Sequence, residues 1–278
     1  MEAMTEILAG IADTKAAPSY SQEEYMKQRC ADANSVQGSL HEEDGHDCPT
    51  CKNRGYYEIV KEEYGSWNAY MRMCECQKVR KVLRNIKRSG IKDTGGISFA
   101  NYRTESPWQV VIKSKAEAYA ADPNGSWFFM GGQTGCGKTF ICTAIALELM
   151  KQGKSLHYML WRDEAVRLKA AVVDTPSEYA KAVEALKQAE VLYIDDLFKT
   201  GNGEKPTRGD LNLAFEILNH RYNSEKLTII STEYTIDALV DIEEAIGGRI
   251  AERTKGEYAI SIRRDRRKNY RLKGMIEL

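Results

Sequence analysis

The run Gly132-Gln133-Thr134-Gly135-Cys136-Gly137-Lys138-Thr139 has the form G-x-x-x-x-G-K-[ST], and it limits what the surrounding chain can fold into. Such a loop works where a strand delivers the chain into a tight turn and a helix leaves it. The glycines let backbone N–H groups close around a β-phosphate. The helix adds the positive end of its dipole, and the lysine reaches the β- and γ-oxygens. Both flanks fit: Trp127 to Met130 is a short apolar run, and Phe140 to Met150 reads as a helix. The loop is therefore expected to bind ATP or GTP, with Lys138 on the phosphates and the Thr139 hydroxyl on Mg²⁺.

The order of elements around the loop predicts the rest of the domain. A helix over Gln109 to Ala121 precedes the loop strand, and a second strand covers Ser155 to Trp161. Helices over 162–173 and 177–188 are parted by Asp174-Thr175-Pro176, where proline ends one and can start the next. Val191 to Ile194 is a strand, a loop with Gly201, Gly203 and Pro206 follows, and Leu211, Phe215 and Leu218 mark another helix face. Leu227 to Ser231 is one more buried strand. Helices alternating with apolar strands predict an α/β fold with a parallel sheet covered on both faces.

The strand ending in Asp195-Asp196 gives the expected acids of a phosphate-transfer site. Asp195 is expected to share the Mg²⁺ shell with Thr139, and Asp196 to orient or deprotonate the attacking water. Thr232 ends the next strand at the same edge of the sheet, so it is expected to bond the γ-phosphate or that water. Arg249 and Arg253 lie at i and i+4, on one helix face.

A separate pattern lies upstream. Cys48-Pro-Thr-Cys51 and Cys74-Glu-Cys76 are joined by two strand-like stretches, Gly55 to Val60 and Tyr70 to Met73. A C-x-x-C knuckle lets two thiolates share one tetrahedral ion, and a hairpin would bring the second pair alongside. These four residues are expected to hold Zn²⁺, with His41 or His46 as an alternative ligand. Cys30, Cys136 and Cys142 lie at no metal spacing and are expected to be free thiols. Seven cysteines without a signal-peptide pattern point to metal and free thiols rather than a disulfide framework.

Residues 77–90 follow as a basic helix, with Val79, Val82, Leu83 and Ile86 on its apolar face. Its charge is either a solvated face or a surface for nucleic-acid phosphates or an acidic partner. Forty basic and forty acidic side chains give zero formal charge, so any affinity for a polyanion must be local. Met4, Ile7, Leu8 and Ile11 form a narrow apolar stripe near the N-terminus. No apolar run approaches the roughly 20 residues needed to span a bilayer, so a cytoplasmic chain with no membrane partner is expected. The basic segment from Arg263 to Lys273 reads as a soluble tail.

Taken in order, these motifs resemble the AAA+ ATPases of the bacterial replicative helicase loader family, the DnaC/DnaI type with its phage and prophage members. The resemblance runs from about Cys48 to Arg271. It takes in the cysteine-rich module, the basic helix, Ser98-Phe-Ala-Asn-Tyr102, the phosphate loop and Asp195-Asp196-Leu197. It continues through Ser231-Thr232, Gly248-Arg-Ile-Ala-Glu-Arg253 and Asn269-Tyr-Arg271. It implies a partner-binding region over 1–76 that contains a zinc module at about 46–76, a basic linker over 77–97 and an AAA+ domain over 98–278. It further implies that Arg253 is an arginine finger acting on a neighbouring subunit's ATP, with Arg249 as second choice, and that Arg271 contacts nucleotide within its own subunit. The expected partners are a hexameric replicative helicase, single-stranded DNA and further copies of the chain. The alternatives are an IstB-like transposition ATPase and a nucleotide-dependent adaptor that does not remodel DNA.

Overall fold

The computed structural model describes residues 21–91, 96–200 and 204–272. The stripe at Met4 to Ile11, the loop glycines 201 and 203, and Lys273 lie outside the described residues. The chain forms two compact units, divided between Arg80 and Lys81. That division falls inside one helix, where the sequence suggested a separate linker over 77–97.

The first unit holds helix α1 (Gln22–Ser35), a single turn α2 (Leu40–Asp44) and the antiparallel hairpin β1 (Tyr56–Glu63) and β2 (Ser66–Met73). Ser21 and Glu24 form a reciprocal cap that starts α1, satisfying backbone N–H groups that a helix N-terminus leaves unpaired. Asn34 clamps this helix to β1 by bonding both the amide and the carbonyl of Glu58, each at 2.8 Å. Tyr64 and Gly65 both take positive φ, the conformation that closes a two-residue hairpin without splaying its strands. β2 returns the chain to Cys74 and then to α3 (Cys76–Ser89).

The second unit is a three-layer sandwich. Its strands are β3 (Phe128–Gly132), β4 (Leu156–Leu160), β5 (Val191–Leu197), β6 (Leu227–Thr232) and β7 (Ala259–Ile262). They lie in the order β4-β5-β6-β3-β7, and every pairing is parallel. Successive strand residues point to opposite faces, and here both faces are buried. Phe128, Met130, Val191, Tyr193 and Ile229 pack under α4 (Pro107–Ala121) and α5 (Lys138–Lys151). Phe129, Leu192, Ile194 and Ile230 pack on the other side. There they meet α6 (Trp161–Asp174), α7 (Pro176–Gln188), α8 (Arg208–Asn223) and α10 (Glu244–Arg253), and the short α9 (Ile236–Ile242) adds Leu239. Trp161, expected to end β4, instead begins α6. The expected parallel α/β sheet is present, and the site sits at the C-terminal ends of its central strands.

Arg221 joins two elements of this core. It is fully buried, and its guanidinium donates to the carbonyls of Leu186, Lys187 and Ala189 at the end of α7 and to Thr228 on β6. A cation at a helix C-terminus satisfies carbonyls that the helix leaves without partners. Burial lowers its pKa to about 9, so those acceptors are what make the buried charge tolerable.

Candidate nucleotide site and cysteine cluster

The phosphate loop lies between β3 and α5. Lys138 is buried, and its ammonium donates to the carbonyls of Gly132 at 2.9 Å and Gln133 at 2.8 Å. Two glycines of the motif are required by close contacts. A Cβ on Gly132, at φ +99°, would lie 2.1 Å from the carbonyl oxygen of Ile262, and one on Gly135, at φ +75°, would lie 2.0 Å from the Asn269 side chain. The first contact comes from the last residue of β7 and the second from the segment that follows it. Gln133 exchanges side-chain and backbone bonds with Asp265, and Tyr270 donates its amide to Gly135 at 2.9 Å. The segment that reads as a soluble basic tail therefore folds along the loop as far as the described residues run.

Asp195 is the hub of the site. It is 3% exposed, and four hydroxyls donate to it. Thr139 lies at 3.1 Å, Tyr193 at 2.9 Å and Tyr158 at 3.0 Å, with Ser231 in contact as well. Three of these donors share Oδ1, and Tyr158 takes Oδ2. Burial and the nearby Asp195 raise the pKa values of Tyr158 and Tyr193, which keeps both phenols as donors. Asp196 adopts φ +56°, a left-handed conformation that Asp tolerates better than most residues. Its amide donates to Ser231 at 2.9 Å, and its carboxylate accepts from Lys199 at 2.8 Å.

Thr232 does not occupy the expected place. It is fully buried and donates to the carbonyl of Leu197 at 2.7 Å. Neighbouring residues of a strand face opposite ways, so Ser231 rather than Thr232 meets Asp195. The group from this strand end that enters the cleft is Glu233. The cleft itself is about 260 Å³ and is lined by Lys138, Thr139, Asp196, Lys199, Glu233 and Arg271, among others. Beside it Tyr102, Phe140 and Tyr270 frame a second hollow of about 380 Å³, sharing Gly137 with the first. Flat aromatic walls of this kind can stack on a heterocyclic base. Sequence reasoning missed this hollow, because its three rings come from segments far apart in the chain.

The two helix arginines lie away from this cleft. Arg253 donates to the carbonyl of Gly125, and its guanidinium meets Glu225 at 3.3 Å. Arg249 donates to Asn219 at 3.0 Å and lies over the rings of Phe215 and Tyr222. Arg271 lines the cleft.

In the first unit Cys48, Cys51, Cys74 and Cys76 are all buried, with their sulfur atoms within 4.8 Å of one another. Cys48 and Cys74 are 3.7 Å apart, Cys51 and Cys76 3.5 Å. A tetrahedron with metal–sulfur bonds of 2.3 Å has edges of about 3.8 Å, so the cluster has the dimensions of a four-thiolate site. Neither His41 nor His46 joins it. Burial raises the Cys48 thiol, but hydrogen bonds from Cys51 outweigh it and bring it to about 7, whereas burial pushes Cys76 up to about 12. A divalent cation is what would let such unlike sulfurs ionise together. Arg80, fully buried, braces the cluster by donating to Asp44 at 2.6 Å and to Asn53 at 2.8 Å. Asn53 in turn accepts the Cys48 amide at 2.8 Å.

The IstB-like ATP binding protein family matches residues 75–241, more than half of the chain. The phage-like element PBSX protein XkdC of Bacillus subtilis is 34% identical, over 83% of this chain and 88% of its own length. The replicative helicase loader DnaC of Escherichia coli K12 is 25% identical, over 64% of this chain and 71% of that one. A crystal structure of the DnaC helicase loader superposes with a TM-score of 0.51 at 20% identity, covering 61% of this chain and 97% of the other, which shows a shared fold. Among the described residues no helix is long and apolar enough to cross a membrane. The family match, whose span takes in the phosphate loop, the Asp195 strand and the end of β6, makes this chain a member of the IstB-like ATP binding protein family.

Proposed function

We propose that the chain is an ATP-dependent loader that delivers a hexameric replicative helicase onto single-stranded DNA, working as a homo-oligomer through its AAA+ domain. The observation that carries the nucleotide part is the cluster of Lys138, Thr139 and Asp195 at one end of the sheet, opening on a cleft lined by Arg271. The similarity to helicase loaders supports the partner and the DNA. Lys138 would leave the loop carbonyls for the β- and γ-phosphates, and Tyr102, Phe140 and Tyr270 would take the base. Thr139 and Asp195 would hold Mg²⁺, which when bound neutralises charge on the phosphates. Asp196 would orient the attacking water and accept its proton, and Arg271 would contact nucleotide in the same subunit. Zn²⁺ on the four cysteines would fold the first unit as the surface for the helicase.

Arg253 is proposed as the finger that a neighbour supplies, which requires it to leave Gly125 and Glu225. Such a finger is worth roughly 10³-fold or more in rate. Arg253→Ala should therefore bind ATP normally but lose the rise in turnover with protein concentration, and Arg249→Ala tests the second choice in the same assay. The loading reading is tested by mixing the protein with a hexameric helicase, single-stranded DNA and ATP. ATP-dependent deposition of helicase, lost in Lys138→Ala, is expected. No complex with any helicase, combined with ATP-dependent recruitment of a transposase, would favour the IstB-like transposition reading instead.

A further inference from the structure

The cleft contains a cation that the roles above leave unused. Lys199 places its ammonium 2.8 Å from Asp196 and 3.1 Å from Glu233. Asp196 is the penultimate residue of β5, and Glu233 follows β6, so the lysine ties together two strand ends at the cleft. The turn beneath it is rigid. The Lys199 amide donates to the Asp196 carbonyl at 2.9 Å, and the Leu197 carbonyl takes the Thr232 hydroxyl. Phe198, also at positive φ and 1% exposed, packs edge-on against Trp161 at 5.3 Å. With its backbone fixed in this way and its amide on Ser231, Asp196 keeps only the rotation of its own side chain. One carboxylate oxygen is held by Lys199, which settles that rotation. Burial works against the ammonium, but the two carboxylates outweigh it and raise its pKa, so Lys199 stays charged. Without it, Asp196 and Glu233 would face each other and an anionic substrate as unscreened like charges.

We propose that Lys199 is the positioning residue for Asp196, anchored by Glu233, and that it directs the Asp196 carboxylate at the attacking water. This deepens the proposed function and rests on it. Misplacement of a general base by about 1 Å can cost on the order of a hundredfold in rate.

The test compares steady-state ATP hydrolysis and equilibrium binding of a fluorescent ATP analogue across variants of the full-length protein. Lys199→Met should lower kcat roughly ten- to hundredfold, with KM and analogue binding changed by less than about threefold. Lys199→Arg, which keeps a charge at a similar reach, should recover part of kcat. Glu233→Gln should lower kcat by a smaller factor, since the Asp196 contact survives. Unchanged or increased kcat in Lys199→Met overturns the proposal. So does a rise in KM at constant kcat, which would make Lys199 a phosphate-binding cation instead. Lys138→Ala serves as the control for the parent reading. If it still binds the analogue, the nucleotide site itself is misassigned; if it does not, a wild-type-like Lys199→Met defeats the positioning role alone. The far-ultraviolet spectrum and melting temperature of each variant separate lost geometry from lost fold.

Discussion

The two units of this chain stay folded by different means. The second buries two aromatic and aliphatic layers on either face of a five-stranded sheet. In the first, the buried apolar residues among those described are five cysteines, four of them in the cluster, with Arg80 and Asn53 beside them. Tyr57 leans on that cluster from one side. A two-stranded hairpin is marginal by itself in water, and a unit of this size gains little from apolar burial. The contrast teaches where each unit is vulnerable: one depends on sulfur chemistry, the other on packing and on satisfying a few buried polar groups.

Removing the proposed zinc should produce the largest difference between the two. A structural zinc site contributes an apparent binding energy of roughly 10 kcal/mol or more to folding. Chelation, or Cys48→Ser with Cys74→Ser, is expected to expose the hairpin amides of Tyr56 to Met73 to hydrogen exchange while ATP binding persists. A protein purified without zinc, or a hairpin equally protected after chelation, would erase the contrast.

The converse experiment strikes the second unit. Arg221→Met leaves the α7 carbonyls and Thr228 without their donor in a sealed interior. Loss of hydrogen bonds to a buried charged group costs about 3 kcal/mol. The melting transition of the ATPase unit should fall, while zinc content stays at the wild-type level. If both units lose stability together, they do not fold independently.

A finer test uses the start of α8. Asp210 is 5% exposed and is held by Lys169 at 2.6 Å and by the amide and hydroxyl of Thr207. Burial alone would raise its pKa, but these partners outweigh it and hold the carboxyl below its usual 3.8. A carboxylate with a depressed folded-state pKa stabilises the fold above its unfolded value, and that contribution is lost as pH falls through the folded value. Asp210→Asn should therefore cost about 1 kcal/mol near neutral pH, and the gap to wild type should narrow as pH drops below 3.8. A gap independent of pH would mean that charge at Asp210 contributes nothing.

What the sequence revealed, and what it concealed, follows from the range of the contacts. The phosphate loop is legible because its chemistry is contiguous, and the parallel sheet because each buried strand is a short apolar run. The four cysteines are legible because knuckle spacing is local on both sides of the hairpin. Thr232, expected to meet the γ-phosphate or the water, has its hydroxyl on the Leu197 carbonyl for a local reason. Adjacent strand residues face opposite ways, and the pairing of β5 with β6 is irregular between Ile194 and Leu197, so the strand end alone does not say which side chain faces the cleft. Lys199 carried no signal, since a lysine three residues past an acid pair reads as solvated charge until Glu233 is seen opposite. The segment from Asp265 to Arg271 was hidden by its composition: four basic side chains in seven residues suggest a solvated tail, whereas its backbone and Asn269 face the loop.

That fold-back bears on how the protein is made. β3 has β7 as its neighbour on one side, and the loop that follows β3 is bordered by Asn269 and Tyr270. While a ribosome is still synthesising residues 233 to 258, β3 has β6 on one side but no strand on the other, and its loop lacks those neighbours. Domains in general fold as units once their chain is available. Nucleotide competence should thus arrive late in synthesis, after residue 271 has left the exit tunnel. A chain released early, even with every residue of its phosphate loop and acid pair intact, should hold that loop less firmly, because Asn269 and the Tyr270 amide would be missing from its border.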